Sequence, residues 1–464
     1  MTEPPAADPG AGPDLGPDGS RHPAQRLSPL TPLVRGAVFV VAVAATTWDD
    51  LLSGEVGTLA LILLAVLLAG ALYGYASWLR TTYWIDDREL RIDTGVVYHQ
   101  SRRIRIDRLQ GVDIVQPFVA RLFGLAELKM DVAGGDSEGS LAFLPLAEAH
   151  RVREVLLARR DAVRRTAAPE GSDGAGDDSG EAVPDWAPPD HDIARLDLRT
   201  LMASVVLSPE TVLLVVGSVA FGIALLLNGV VVVAPALPFV GGLLVVSVRR
   251  LSAYYDFTVS QTRVGLQVRR GLFERATQTI ALARVQGVVV SEPVLWRGLG
   301  WAKLDVSVAG AGGTSESDGR PSSTTVMPVA PMPLVLELAQ HLLRGDDDAV
   351  DVDVAGVPLV PPPRSARWLD PVSRRFMGAG VGPDLVVTRE GWLTRRTHAA
   401  RHARVQSVRL SQGPLQRRLG LADVHVDSPP GPVRIRARHR AQADARRLFD
   451  EERRRAREAR DASR

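Results

Sequence analysis

The residues best suited to chemistry in this sequence are three Arg-x-Gln triplets. They are Arg108 and Gln110, Arg284 and Gln286, and Arg404 and Gln406. A surface arginine beside an amide could bind a phosphate or a carboxylate, because the guanidinium donates charged hydrogen bonds in a fixed fork. The alternative is structural, with the arginine and the glutamine tying the end of a strand to the helical turn near Arg121. Both interpretations are open at this point.

A second candidate site is a group of arginines in the C-terminal third of the chain. Its candidate binding residues are Arg395, Arg396, Arg434, Arg436 and Arg438. Arginines near an anionic leaflet are attracted to lipid headgroups, so we expect this region to bind a membrane surface. The segment 451–464 is also highly charged, but Glu451 and Arg455 are spaced to pair along a solvated helix.

The sequence contains no constellation of residues with catalytic spacing. The nine histidines are scattered, and neither an H-E-x-x-H motif nor a glycine loop for phosphate is present. The absence of cysteine excludes disulfides, thiolate metal sites and cysteine catalysis. A formal net charge of +2 excludes the global basic field of a nucleic-acid-binding protein. We therefore expect no enzymatic activity, no cofactor, no metal and no nucleic-acid partner.

An internal repeat contains the triplets. Three stretches of 32 residues align without a gap, at Gly95–Ala126, Gly271–Ala302 and Gly391–Ala422. Seven positions are identical in all three copies, and in the first copy they are Gly95, Arg108, Gln110, Val112, Arg121, Gly124 and Ala126. So many coincidences in one register exceed chance. Because all three copies share Arg-x-Gln, a requirement of the fold is favoured over a binding role.

The repeat is predicted to be rich in β-strands. Ile104 and Ile106 alternate with charged residues, which is the period of a half-buried strand. A glycine before each such strand suits a hairpin turn, and residues 117–124 have the character of a helical turn. An amphipathic helix is expected to close each copy, at Leu146–Leu157, Leu334–Leu343 and Ala441–Phe449. This is an α+β arrangement in which the helix caps a bent sheet or barrel.

Four apolar stretches predict a membrane protein. They are Leu33–Trp48, Val56–Leu79, Thr211–Leu227 and Val230–Val248. The longest has 24 residues without a charge, and a helix of that length extends about 36 Å, enough for a hydrocarbon core of about 30 Å. The alternative for each stretch is a buried core helix. The loop 49–55 is acidic and arginines lie on the opposite flanks, so the positive-inside rule places the termini and the large domains in the cytoplasm.

The expected domain organisation follows from these features. It comprises a disordered tail at 1–28, a transmembrane hairpin at 29–80, a first domain at 81–160, an acidic linker at 161–195, a second hairpin at 196–250, a second domain at 251–345, a linker at 346–364, a third domain at 365–450 and a charged tail at 451–464. The tail 1–28 has no apolar core, so a cleavable signal is not expected.

The repeat also resembles a known family. A hydrophobic hairpin followed by G-x-[VLF], R-[VL]-Q-[GS]-V and R-x-x-G-[LW]-A resembles the bacterial membrane-flanked pleckstrin-homology-like (PH-like) domain family, and within it the YdbT-like group. The resemblance covers residues 33 to about 450 and implies a bent sheet with a C-terminal helix in a plasma-membrane protein without established catalysis. It supplies no functional residues. The third copy departs from the pattern, because Pro414 is shifted by one position relative to Pro117 and Pro293 and no hydrophobic hairpin precedes the copy.

The predicted fold class is therefore an α+β membrane protein with two transmembrane helical hairpins and three PH-like domains. We expect a non-enzymatic, multi-pass plasma-membrane scaffold or sensor whose cytoplasmic PH-like domains bind a protein partner or anionic lipid headgroups. The alternative is an accessory subunit of a membrane transport or export assembly, in which the hairpins are the working part.

Overall fold

The computed structural model describes residues 25–26, 82–85, 89–94, 100–132, 139–167, 191–228, 233–262, 265–309, 325–345, 352–429 and 431–462. Within these residues the chain is mainly antiparallel β-sheet, and it forms three units of similar element order that correspond to the three copies of the repeat.

The first unit ends in a long helix. Its elements are β1 (Gln25–Arg26), β2 (Thr82–Ile85), β3 (Glu89–Thr94), β4 (Gln100–Arg105), β5 (Leu109–Pro117), α1 (Phe118–Leu122), β6 (Leu125–Val132), β7 (Gly139–Pro145) and α2 (Leu146–Ala167). The predicted alternation is confirmed, because Ile104, Leu128 and Met130 are buried in the core of this unit. The helix expected from Leu146 is confirmed and extends ten residues beyond Leu157.

The second unit begins with a strand and three helices that precede its copy of the repeat. Its elements are β8 (His191–Arg195), α3 (Leu198–Val206), α4 (Pro209–Asn228), α5 (Val233–Ala253), β9 (Thr258–Thr262), β10 (Gly265–Arg270), β11 (Glu274–Ala281), β12 (Val285–Pro293), α6 (Val294–Leu299), β13 (Trp301–Val308), β14 (Thr325–Pro331) and α7 (Met332–Arg344). Strand β8 lies at the edge of this unit's sheet, paired with β9.

The third unit follows two 3₁₀ turns, at Arg364–Trp368 and Ser373–Phe376. Its elements are β15 (Gly378–Val381), β16 (Leu385–Glu390), β17 (Thr394–Arg401), β18 (Ser407–Ser411), α8 (Pro414–Arg418), β19 (Leu421–Asp427), β20 (Ile435–Ala441) and α9 (Gln442–Ala462). Helix α9 continues through most of the predicted charged tail, and the expected pair is confirmed, since Arg455 Nε lies 2.6 Å from Glu451 Oε1.

The identical glycine near the end of each repeat has a common structural role. Gly124, Gly300 and Gly420 have φ values of 67°, 67° and 64°, a left-handed conformation that glycine adopts without a steric cost. Each glycine follows the short helix of its unit, and its carbonyl accepts the N–H of the first residue of the C-terminal helix. The donors are Leu146, Met332 and Gln442, at 3.0, 2.7 and 2.9 Å. The repeat glycine therefore sets where the capping helix begins.

Sheets are shared between consecutive units. A seven-stranded sheet has the order β7-β6-β5-β11-β10-β9-β8, so the second sheet of the first unit continues into the first sheet of the second. A six-stranded sheet has the order β14-β13-β12-β17-β16-β15 and joins the second unit to the third in the same way. The core of the second unit includes Leu385, Val387 and Ala399 of the third. Backbone hydrogen bonds and apolar packing therefore both link these two units.

The fold class predicted from the sequence is wrong in one component, the two transmembrane helical hairpins. Among the described residues, no single helix is both long and apolar enough to cross a membrane, and one bent pair, Leu198–Val206 with Pro209–Ala220, meets those requirements only together, across a 44° bend. Charges lie within the helices of the second predicted hairpin, where Arg250 of α5 contacts Glu210 of α4 at 3.3 Å. The first predicted hairpin, at 29–80, lies outside the described residues.

Candidate binding surfaces

The Arg-x-Gln triplets lie where a 3₁₀ turn meets the long strand of each unit. The turns are Ile106–Arg108, Leu282–Arg284 and His402–Arg404, so the arginine is the last residue of each turn. In the second unit Arg284 Nη2 donates to the carbonyl of Ala309 at 2.6 Å, and Gln286 Nε2 donates to the carbonyl of Arg284 at 3.3 Å. The arginine thus binds the chain just after β13, and not the helical turn that the sequence suggested.

The triplets of the other two units are placed differently. Arg108 and Gln406 are exposed. Arg404 reaches across the junction between units and donates to the carbonyl of Ala283 at 2.9 Å. These contacts support a structural role for Arg284 and Arg404, and a binding role for the triplets stays a prediction.

A cavity of about 260 Å³ brings two residues of the triplets together. Gln286 of the second unit and Arg404 of the third line it, beside Arg401 and the apolar side chains of Leu282 and Leu343. Burial, and then the neighbouring Arg401, lower the pKa of Arg404. Arg401 also donates to the carbonyl of Arg344 at 3.1 Å. The cavity is therefore a partly open space between the two units, and two of its lining arginines donate to backbone carbonyls.

Another repeated arginine spans each junction between units. Arg121 Nη1 donates to the carbonyl of Leu272 at 3.2 Å, in the hairpin turn that precedes β11. Arg297, at the same repeat position one unit later, donates to the carbonyl of Leu393 at 3.2 Å, in the turn that precedes β17. Both arginines lie on the short helix of one unit and hold the next unit's hairpin. An arginine stands at this repeat position in all three copies, and that recurrence in the sequence could have pointed to its role at the junctions. The prediction of binding residues did not use it.

Comparison with known families agrees with this architecture. The model of a family described as "Bacterial PH domain" matches residues 37–160, 211–346 and 367–454, which is more than half of the chain. The chain belongs to the bacterial PH domain family. Each of the three matched regions contains one copy of the repeat and most of its unit, and the resemblance stated from the repeat motifs is confirmed.

A curated relative adds to this comparison. The chain is similar to the UPF0699 transmembrane protein YdbT of Bacillus subtilis (strain 168), with 24% identity over 286 residues. The match covers 57% of this chain and 56% of the relative, so the chain spans little more than half of that protein's length.

The third PH unit carries a narrow cleft, with no interior space for a water molecule, lined by four arginines and one carboxylate, which we call the basic cleft. Its charged lining residues are Arg389, Glu390, Arg436, Arg438 and Arg440. Arg436 and Arg438 face the same side because alternate residues of a strand do so, whereas Arg440 follows an irregularity of β20 at His439, which has a φ of 52°, and also lines the cleft. Arg436 and Arg438 were candidates from the sequence, whereas Arg389 and Arg440 were not. The alternation of Arg436, Arg438 and Arg440 was the signal that could have added Arg440.

The single carboxylate of the cleft is surrounded by cations. The His398 imidazole, whose Nε2 lies 3.7 Å from Glu390 Oε1, lowers the pKa of Glu390, burial opposes that shift, and Arg438 and Arg396 add to the lowering. Arg396 is exposed and lies directly opposite Glu390 in the register of β16 and β17. Arg434, also exposed, donates its backbone N–H to His398 Nδ1 at 3.2 Å. The positive charge at the cleft therefore exceeds the negative charge.

Two of the five candidate arginines have acidic partners. Arg395 Nη1 lies 3.7 Å from Glu292 Oε2 of the second unit, and Arg436 Nη2 lies 2.8 Å from Asp423 Oδ2. In contrast, the buried Nε atoms of Arg389, Arg438 and Arg440 have no hydrogen-bond acceptor. Burial lowers the pKa of both Arg389 and Arg440. The cleft thus combines buried donors with an excess of positive charge.

Within the described part of the chain, no group of three histidine or carboxylate side chains is placed to hold a metal ion.

Proposed function

We propose that this protein is a non-enzymatic, membrane-associated scaffold whose third PH unit binds the anionic phosphate of lipid headgroups at the mouth of the basic cleft. The observation that carries the proposal is the set of buried Nε atoms of Arg389, Arg438 and Arg440 that lack an acceptor around one cleft. A buried donor without an acceptor is costly, and a bound ion or a water is one explanation for it. A phosphate oxygen is a strong acceptor for guanidinium groups.

The surface around the cleft suits an anionic ligand. Arg396 and Arg434 are exposed beside it, and an arginine close to an anionic leaflet contributes about 1 kcal/mol of attraction. Membrane association is supported by the Bacillus subtilis relative, which is named a transmembrane protein. The cytoplasmic orientation of the PH units stays a prediction. The alternative of a transport or export subunit depended on two transmembrane hairpins, and no single described helix is long and apolar enough to cross a membrane.

The proposal is tested by ligand-dependent stabilisation of the full chain in detergent. The ligands are soluble short-chain phosphatidylglycerol, short-chain phosphatidylcholine and inorganic phosphate. A ligand that binds the native state raises the melting temperature in proportion to RT ln(1 + [L]/Kd). We expect stabilisation by phosphatidylglycerol that falls as salt rises. Stabilisation by phosphate alone of the same size would assign the cleft to free phosphate and not to lipid.

Paired variants make the test specific to the cleft. Arg396→Gln with Arg438→Gln removes two charges there, and Arg453→Gln with Arg457→Gln removes two charges from the exposed face of α9. The cleft variant should lose the stabilisation by phosphatidylglycerol, and the α9 variant should keep it. Equal responses of the two variants, or equal stabilisation by phosphatidylcholine, would exclude headgroup binding at the cleft.

A further inference from the structure

The two junctions between units are built in the same register. Ile114 of β5 faces Thr277 of β11, and Val290 of β12 faces Thr397 of β17. Ile114 and Val290 occupy one repeat position, and Thr277 and Thr397 occupy another. A register is set residue by residue, so its recurrence shows that the repeat encodes a joining surface as well as a fold.

Each joining surface has two sides. The first, which we call the giving side, is the strand before the short helix together with the repeated arginine that donates the hydrogen bond, as in β5 with Arg121. The second, the receiving side, is the hairpin strand of the next unit together with the turn before it, as in β11 and the turn whose carbonyl accepts the hydrogen bond of Arg121. The second junction repeats both parts with β12, Arg297 and β17.

Among the described residues, one strand edge of each kind is unused, and the turn 95–99 before the receiving strand of the first unit lies outside the described residues. In the third unit β18 lies at the edge of the three-stranded sheet β18-β19-β20, although it occupies the position of β5 and β12. Arg417 occupies the position of Arg121 and Arg297, and its side chain is exposed. In the first unit β4 lies at the edge of the sheet β1-β2-β3-β4, although it occupies the position of β11 and β17.

We propose that the β18 edge and Arg417 of one chain bind the β4 edge of a second copy, in the register of the two internal junctions. That register places Leu410 opposite Ser101 and Ser411 opposite Gln100. Leu410 is 38% exposed and Ser101 is exposed, so both side chains are accessible. Because two different edges pair, the contact is heterologous and produces a row or a ring of copies. The proposal does not depend on headgroup binding at the basic cleft.

The sequence also limits the strength of this contact. In the second junction the N–H of Val294 donates to the carbonyl of Leu393 at 2.7 Å, but Pro414 holds that repeat position in the third unit and has no N–H. At the residue before Leu410, the register places Arg409 opposite Arg102, and like charges that face each other on paired strands are destabilising. The external junction is therefore shorter than the internal ones, and association depends on protein concentration.

Cysteine crosslinking tests the register directly, because the natural chain has no cysteine. One full-length chain carries Ser101→Cys and another carries Leu410→Cys, and their tags differ in length so that a mixed dimer can be recognised by its size. The two are mixed and oxidised with copper phenanthroline. Facing residues of antiparallel strands have Cα atoms about 4.5–5.5 Å apart, within the range of a disulfide. We expect a mixed dimer from this pair. The control pair, Ser101→Cys with Ser407→Cys, is displaced by roughly 10 Å along the strand and should give little product.

The arginine provides a second readout. Arg417→Ala should lower the yield of the matched crosslink roughly tenfold, as expected for a lost hydrogen bond from a charged donor. Arg418→Ala is the matched control, since Arg418 is the exposed neighbour and is not repeated in the other copies. Equal yields from the matched and displaced pairs, or a matched yield that Arg417→Ala leaves unchanged, would overturn the proposal. Melting curves of both alanine variants verify that the fold is intact.

Discussion

His402 Nδ1 lies 2.9 Å from Glu452 Oε1, and the two side chains are 2% and 0% exposed. The other ring nitrogen of His402 lies 3.2 Å from the carbonyl of Gly382. Glu452 belongs to α9, within the segment that the sequence suggested is a solvated tail. The pair therefore fastens the last helix to the 3₁₀ turn that follows β17.

Glu452→Leu should destabilise the third unit by about 3–5 kcal/mol, because removal of one partner leaves the other buried polar group uncompensated. The measurement is chemical denaturation followed by a probe in that unit. Glu458→Leu serves as the control, since Glu458 forms only an exposed pair with Arg454 and should change stability by less than about 1 kcal/mol. If Glu452→Leu unfolds at the wild-type denaturant concentration, the pair does not stabilise the unit.

Gly391→Val should destabilise the third unit by about 1–3 kcal/mol, the usual cost of a strained backbone conformation. Gly391 has a φ of 86°, and a Cβ atom there would lie 2.2 Å from the carbonyl oxygen of Thr394. Gly413→Ala is the control, because its nearest neighbour would be Gln416 Oε1 at 3.6 Å. Thermal melting distinguishes the two variants, and equal melting temperatures would show that the turn does not require glycine.

Asp423 should make the third unit sensitive to acid. Burial alone would raise the pKa of Asp423, but hydrogen bonds from the His439 N–H and from Arg436 outweigh burial and hold it below its ordinary range. A depressed carboxylate pKa stabilises the fold above the unfolded pKa of about 3.9, and that stabilisation is lost as the pH falls through the lower folded value. Wild type should therefore exceed Asp423→Asn in melting temperature at pH 7, and the difference should shrink below about pH 4. A constant difference across this range would contradict the assignment.

Arg297→Ala should loosen the junction between the second and third units. The variant loses hydrogen bonds to the carbonyls of Glu292 and Leu393, both at 3.2 Å, and a bond from a charged donor contributes about 1.5–3 kcal/mol. Hydrogen exchange of the β17 amides should become faster, because β17 pairs with β12 at this junction. Arg418→Ala, on the corresponding short helix of the third unit, is the control and should leave exchange in β17 unchanged. The same exchange rates in wild type and Arg297→Ala would show that this arginine does not hold the junction.

Much of each unit could be predicted from the sequence because its determinants are local. The alternation at Ile104 and the apolar spacing of residues 334–343 depend only on the geometry of a strand and a helix. The repeat located the units, because the same seven residues recur in one register. The apolar stretches at 211–248 were misleading because an uncharged run does not by itself define a membrane span, and no single described helix is both long and apolar enough to cross a membrane.

The sequence by itself determined three copies of one strand-rich unit, their order and their family. Only the tertiary structure decided that β5 pairs with β11 and β12 with β17, because backbone hydrogen bonds between edge strands do not specify a partner through side-chain identity, and the repeated arginine does not name its acceptor. It also decided that Glu452 is buried and that Arg389 joins the arginines of β20 around one cleft. These contacts join residues far apart in the chain, and they form only when the units pack together.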